Sequence, residues 1–216
     1  MHQQRFVLCA ASLLVLAACT TGCVSLAANL IGVIQGNNRP AEFEGLEDKS
    51  VAIVCTCDGD NSIDSVSTML SSYIEANLNT NVEDIDVIRQ AEVERWLGSH
   101  GRSDRDYVEI GRGVDAERLV AVEVMNLTLR NGATLFRGQA DIMVTVYDIP
   151  SGGKILFKKQ IPEYAFPKMG GPSVTDTTEA KFRGLFLTVL ADKISRLFYE
   201  SEVGVDFALD ATSNTF

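Results

Sequence analysis

Apolar residues in this chain fall into three patterns, and each predicts a different element. The first is an unbroken run: no charged residue occurs from Phe6 to Gln35. The second is short and β-branched, Val51 to Cys57, which predicts a strand buried on both faces. The third is periodic. Ile63, Val66, Met69, Leu70, Tyr73, Ile74 and Leu78 recur at helical spacing and predict an amphipathic helix over 62–78. Phe182, Leu185, Phe186, Val189, Leu190, Ile194, Leu197 and Phe198 form a longer helical stripe that needs a sheet or helix to cover it. Between these helices the period changes to two. Phe136, Ala140, Ile142, Val144 and Val146 share one face of a strand, while Arg137, Gln139 and Asp141 take the other.

Turn residues divide the patterns into elements. Gly36 to Pro40 is a break, and Glu42 to Lys49 reads as an acidic connector. A short strand is expected over 86–88, a helix over 91–97 stopping at Gly98, a polar loop over 98–104 and a short helix over 107–111. Arg118 to Arg130 and Leu135 to Asp148 read as a long hairpin about Asn131-Gly132. A third strand, 154–161, follows the turn at 150–153, and Pro162 to Pro172 reads as a loop. Asp176 is placed to cap the last helix, with Glu179 three residues on. The order is strand, helix, strand, short helices, three antiparallel strands, helix. It predicts one α/β (α+β) domain, a mixed and mainly antiparallel sheet flanked by helices in two or three layers.

The apolar N-terminus changes the picture most. Phe6 to Ala18 has the length of a secretory h-region, preceded by His2 and Arg5. Leu16-Ala17-Ala18-Cys19 resembles the bacterial lipobox: an aliphatic residue, two small ones, then cysteine. The resemblance implies a thiol that takes diacylglycerol and becomes the new N-terminus after cleavage. Acyl chains contribute about 0.8 kcal/mol per buried methylene, so two or three of them anchor a protein firmly. Cys23 is the alternative lipidation site, though Thr20 is a poor substitute for the leucine of the motif. The lack of aspartate after Cys19 points, by resemblance, to the periplasmic face of the outer membrane, with the inner membrane as the alternative. An uncleaved anchor over 6–34, longer than the ~20 residues needed to span a bilayer, and simple secretion are the competing readings. The expected organisation is a signal peptide 1–18, a lipidated N-terminus and tether 19–48, the α/β domain 49–200 and a tail 201–216.

Charge narrows the partners. The chain has 216 residues, 19 basic and 29 acidic, for a net charge of −10. An acidic body without a basic stripe repels phosphate backbones, so no nucleic-acid partner is expected. The 5 cysteines make no even disulfide framework, and the 2 histidines, His2 and His100, are too few for common zinc sites.

The element order also resembles a family of envelope domains. The residues that carry it are Lys49 to Val54, Val87-Ile88 with Glu92 to Leu97, Ile110-Gly111-Arg112, Asp115-Ala116, Leu119 to Val124, Tyr147-Asp148 and Ser151 to Lys154. The family includes CsgG, the N-terminal domain of TolB and LpoB, and the match covers about residues 49–200. It implies a non-enzymatic domain that docks other envelope proteins; with the lipid of the N-terminus, the expected partners are the membrane, envelope proteins and a second copy of the chain in a homo-oligomer. A pore of the CsgG kind needs two long membrane hairpins, and this chain has room for one, at 118–148.

Candidate chemistry is sparse. Asp58, Asp60, Ser62 and Asp64 alternate like the oxygen ligands of a calcium loop, but Ile63 and Met69 stand where an EF-hand needs glycine and glutamate. They are weak metal candidates, and the competing reading is a solvated turn that caps the next helix. A metal-dependent envelope enzyme or small-ligand binder built on this loop is the alternative function. Cys55 and Cys57, at i and i+2, share a strand face and read as small core residues rather than a redox pair. His100 reads as a solvated loop histidine, and Trp96 as core. No Gly-x-Ser-x-Gly elbow and no phosphate-binding glycine loop occurs, so neither a catalytic set nor a cofactor is expected.

Overall fold

The computed structural model describes residues 38–58, 64–100 and 106–202. The chain divides into two compact units, Met1–Arg39 and Pro40–Phe216. The second unit is built from β1 (Ser50–Cys57), α1 (Asp64–Asn81), β2 (Asp86–Val87), α2 (Gln90–His100), α3 (Tyr107–Gly113), β3 (Arg118–Asn131), β4 (Leu135–Asp148), β5 (Lys154–Phe166) and α4 (Glu179–Ser195). Its sheet runs β2-β1-β3-β4-β5. β1 lies parallel to β2 and β3, whereas β3, β4 and β5 form an antiparallel meander. This is the mixed, helix-flanked α/β architecture that the sequence predicts.

The helices occupy both faces of the sheet. Along β1, Val51, Ile53 and Cys55 join one core while Ala52 and Val54 join the other, so the unbroken apolar run serves two interfaces. On the first face, α1 contributes Val66, Leu70, Ile74 and Leu78, four residues apart, and α4 contributes Phe182, Phe186, Leu190 and Ile194. On the second face, Val93 and Leu97 of α2 and Ile110 of α3 cover Ala52, Val54, Leu119 and Ala121. Gly138 lets α4 approach β4: a β-carbon there would lie 2.0 Å from Cδ2 of Phe186. The acidic stretch before β1 packs on the body. Leu46 is fully buried, and the Phe43 ring lies 5.4 Å from that of Phe157.

Boundaries differ from the sequence reading: α1 runs on to Asn81 and α3 to Gly113, and three further differences have a physical reason. Helix α2 does not stop at Gly98 but continues to His100. Gly98 has open space around it, and glycine ends a helix only where left-handed backbone is required. Strand β5 continues through Pro162 to Phe166, where the sequence pattern suggests a loop. β5 is an edge strand, so a residue without an N–H is tolerated there. The N-cap of α4 is Thr178, not Asp176: the Thr178 hydroxyl accepts from the Lys181 N–H at 3.3 Å. Glu179 is drawn instead to Arg130, whose Nε and Nη2 donate to it at 3.1 and 2.9 Å.

Candidate functional site

Past the reach of α2 and α3, the second face of β3, β4 and β5 is open, and the meander is irregular there. The β3–β4 register shifts between Met125 and Thr128, and the β4–β5 register shifts between Ala140 and Ile142. Both shifts fall beside Asp141, on the strand between them. Each places a non-glycine residue in left-handed backbone: Asn126 at φ 53° and Glu163 at φ 49°. Such conformations cost energy and persist where neighbours fix them. Asp141 fixes both. One carboxylate oxygen accepts from Nδ2 of Asn126 at 2.8 Å, and the other accepts from the backbone N–H of Glu163 at 2.7 Å. These bonds, the Glu163 N–H first and the Asn126 amide second, hold the Asp141 carboxyl below the usual carboxylate range.

Around this clamp lies an open basin of about 470 Å³, lined by Asn126, Thr128, Arg137, Gln139, Asp141 and Glu163 among others. Arg137 forms its wall. Its Nε donates to the Pro167 carbonyl at 3.1 Å and its Nη2 to the Lys168 carbonyl at 2.8 Å, which pins the chain that leaves β5. Nearer the covered half, the Tyr107 hydroxyl donates to Glu123 at 3.0 Å, and the Tyr107 ring stacks on Tyr147 at 5.6 Å. Burial, and then the Glu123 carboxylate, push the Tyr147 phenol upward. These side chains bond to each other and to backbone, an arrangement suited to presenting a shaped surface. Among the described residues, no three His, Cys, Asp or Glu side chains converge to hold a metal ion. No described helix is long and apolar enough to cross a membrane.

The residues singled out from sequence lie elsewhere. Cys55 is buried and Cys57 half-buried, both on the core face that α1 covers, and both are free thiols. Burial pushes Cys55 up to about 12 and Cys57 to about 11, so at neutral pH neither offers a thiolate. His100 closes α2 rather than sitting in a loop. It is exposed, stacks on Trp96 at 4.2 Å, and its Nδ1 lies 3.0 Å from the Trp96 carbonyl. Trp96 is part-buried against the second core. Of the acidic loop, Asp58 is exposed and its N–H donates to the Val124 carbonyl at 3.0 Å. Asp60, Ser62 and the Asp64 side chain lie outside the described residues, as do Cys19 and Cys23. The structure does not bring together the candidates it describes.

The sequence places Asp141, Arg137 and Gln139 on a polar strand face but does not reveal the clamp.

No family model matches the sequence, and no curated protein does. Several solved structures are similar in shape. A PelC dodecamer from Paraburkholderia phytofirmans covers 75% of this chain and 96% of its own, at 10% identity and a TM-score of 0.42. Lipoprotein GNA1162 from Neisseria meningitidis covers 68% of this chain and 97% of its own, at 12% identity and a TM-score of 0.44. The LpoB C-terminal domain from Salmonella enterica covers 64% of this chain and 94% of its own, at 11% identity and a TM-score of 0.34. At such values the likeness carries no inference about activity. The class that the geometry itself defines is a mixed-sheet α/β domain with one half-open sheet face.

Proposed function

We propose that this protein is a non-catalytic, lipid-anchored protein of the bacterial cell envelope that docks or helps assemble other envelope proteins. The carrying observation is the leader-like N-terminus, an apolar stretch from Phe6 to Ala18 that runs into Cys19 through Leu16-Ala17-Ala18. The body supports the reading: its open sheet half presents side chains already bonded to one another, and its described thiols are sheltered. Cys19 carries the lipid in this reading, with Cys23 as the alternative. The anchor faces the periplasm from the outer membrane, because the residue after Cys19 is threonine. The CsgG, TolB and LpoB resemblance in element order agrees with a docking role, performed singly or as a homo-oligomer.

Fractionation of the native host tests this. Wild-type protein should sediment with the envelope and band with the outer membrane on a density gradient. Cys19→Ser should abolish that banding, while Cys23→Ser should leave it unchanged. Wild-type protein recovered in the soluble cytoplasmic fraction would contradict the proposal.

A further inference from the structure

The sheet has one long open edge. β5 pairs with β4 on one side, and among the described residues no backbone hydrogen bond reaches it from the other. Pro162, which has no N–H, and the bulge at Glu163 interrupt this edge, so its regular part is residues 154–161. An open edge is a template for a further strand.

The side chains of the edge define the strand that fits. Phe157 and Ile161 pair with Val146 and Ile142, so they lie on the face under α4, half-buried at the rim of the first core. Lys158 and Gln160 pair with Thr145 and Met143 and lie exposed on the opposite face. Residues 154–161 include Lys154, Lys158 and Lys159 and no carboxylate. Lys159 is paired with Glu42 at 2.7 Å, whereas Lys154 and Lys158 are exposed and form no salt bridge with a described residue. A second copy of β5 would set lysines against lysines, which disfavours that pairing. The fitting strand is apolar on one side and acidic on the other.

The tail of this chain has that pattern. Val203, Val205, Phe207 and Leu209 alternate with Gly204, Asp206, Ala208 and Asp210, the period of a strand with one apolar face. Residues 197–216 include Glu200, Glu202, Asp206 and Asp210 and no lysine or arginine. The tail also leaves the body beside the edge. The Phe198 ring, just past α4, lies 6.2 Å from that of Phe157. At about 3.3 Å per residue, the residues between Phe198 and Val203 are enough to reach β5.

We infer that residues 203–210, which lie outside the described residues, add to the outer edge of β5 in the same chain as a further strand. Their apolar side extends the rim of Phe157 and Ile161, and their carboxylates meet Lys158 on the other side. The chain closes its own edge by the strand-addition mode that other proteins use to capture peptides. The inference goes beyond the docking role and uses nothing of the lipid anchor.

Amide hydrogen exchange, read residue by residue on the full chain in nanodiscs, tests this. In an edge strand alternate N–H groups point outwards, and the rest bond the neighbouring strand. Both sets within 154–161 should be protected in the full chain. A stop after Glu202 should speed exchange of the outward set at least about tenfold and leave the set bonded to β4 unchanged, which controls for folding. Asp206→Lys together with Asp210→Lys should also speed the outward set. Outward N–H groups that exchange freely in the full chain, or no faster after truncation or charge reversal, would overturn the inference. Unlabelled full chain added to the ¹⁵N-labelled truncated chain should restore nothing. Restored protection would give the edge to the tail of a second copy and overturn the same-chain assignment.

Discussion

Where β1 lies beside the first half of β3, side chains pack against helices on both sheet faces. Where β3, β4 and β5 run on past Val124, only the face under α4 is covered. At the covered end seven consecutive residues of β1 pair with β3 without a shift, and the one shift there lies between Val146 and Tyr147, in the pairing of β4 with the edge strand β5. The half-open end carries bulges in both flanking strands, clamped from the middle by Asp141. Packing on two faces fixes register by itself, because a one-residue slip would turn every side chain to the wrong layer. With one face in water that constraint is halved, and a polar clamp helps hold an irregular surface in one shape.

The largest expected effect lies in the core under the half-open end. Phe186 is fully buried against β4, so Phe186→Ala should cost about 3–5 kcal/mol in chemical denaturation. The two sheet halves separate when side chains are enlarged. Ala121 is 1% exposed in the second core, and Ala121→Leu should cost about 1–3 kcal/mol by overpacking. Gln139→Leu, on the open half, should stay within about 0.5 kcal/mol. Equal losses at the two positions would show that the open half is covered after all.

At the start of α4, Thr178→Ala should remove a cap and cost about 1 kcal/mol. Asp176→Ala should stay within about 0.5 kcal/mol, because its carboxylate accepts from the Thr175 hydroxyl and caps no helical N–H. The reverse ranking would restore the cap that the sequence suggests.

The gentlest probe is pH. The Asp141 carboxyl is held below its ordinary value, so its contribution is present above the unfolded value, about 3.9, and is lost as pH falls through the lower folded value. The Glu163 amide should therefore keep its hydrogen-bonded shift and slow exchange through pH 4 and lose both only below it. In Asp141→Ala it should exchange fast at every pH.

The contrast between the two sheet halves also governs which elements are legible in the sequence. β1 is legible because an apolar, β-branched run has little choice but a two-sided strand. β4 is legible because Phe136 to Val146 alternate cleanly, and one covered face is what alternation means. The end of β5 is hidden because Pro162 and Glu163 break the alternation at a bulge, and local pattern reads any such break as a loop. The end of α2 is hidden because Gly98 looks like a stop, while the helix is finished by Ser99 and His100 bonding back to the Trp96 carbonyl. The clamp is invisible for a similar reason. A lone aspartate on a polar strand face gives no sign that its two neighbours are the bulged residues of adjacent strands, since that follows from register alone. The charge-free run from Phe6 to Gln35, with Leu16-Ala17-Ala18-Cys19 inside it, is the plainest pattern in the sequence, because reading it depends on no tertiary context.

The lipid anchor is the claim on which the proposed role rests, and the intact mass of the protein extracted from membranes tests it most directly. The expected species lacks residues 1–18 and carries acyl mass on Cys19, and Cys19→Ser should yield no such species. A full-length, unacylated mass in the wild type would contradict the claim and make residues 6–34 an anchor spanning the bilayer.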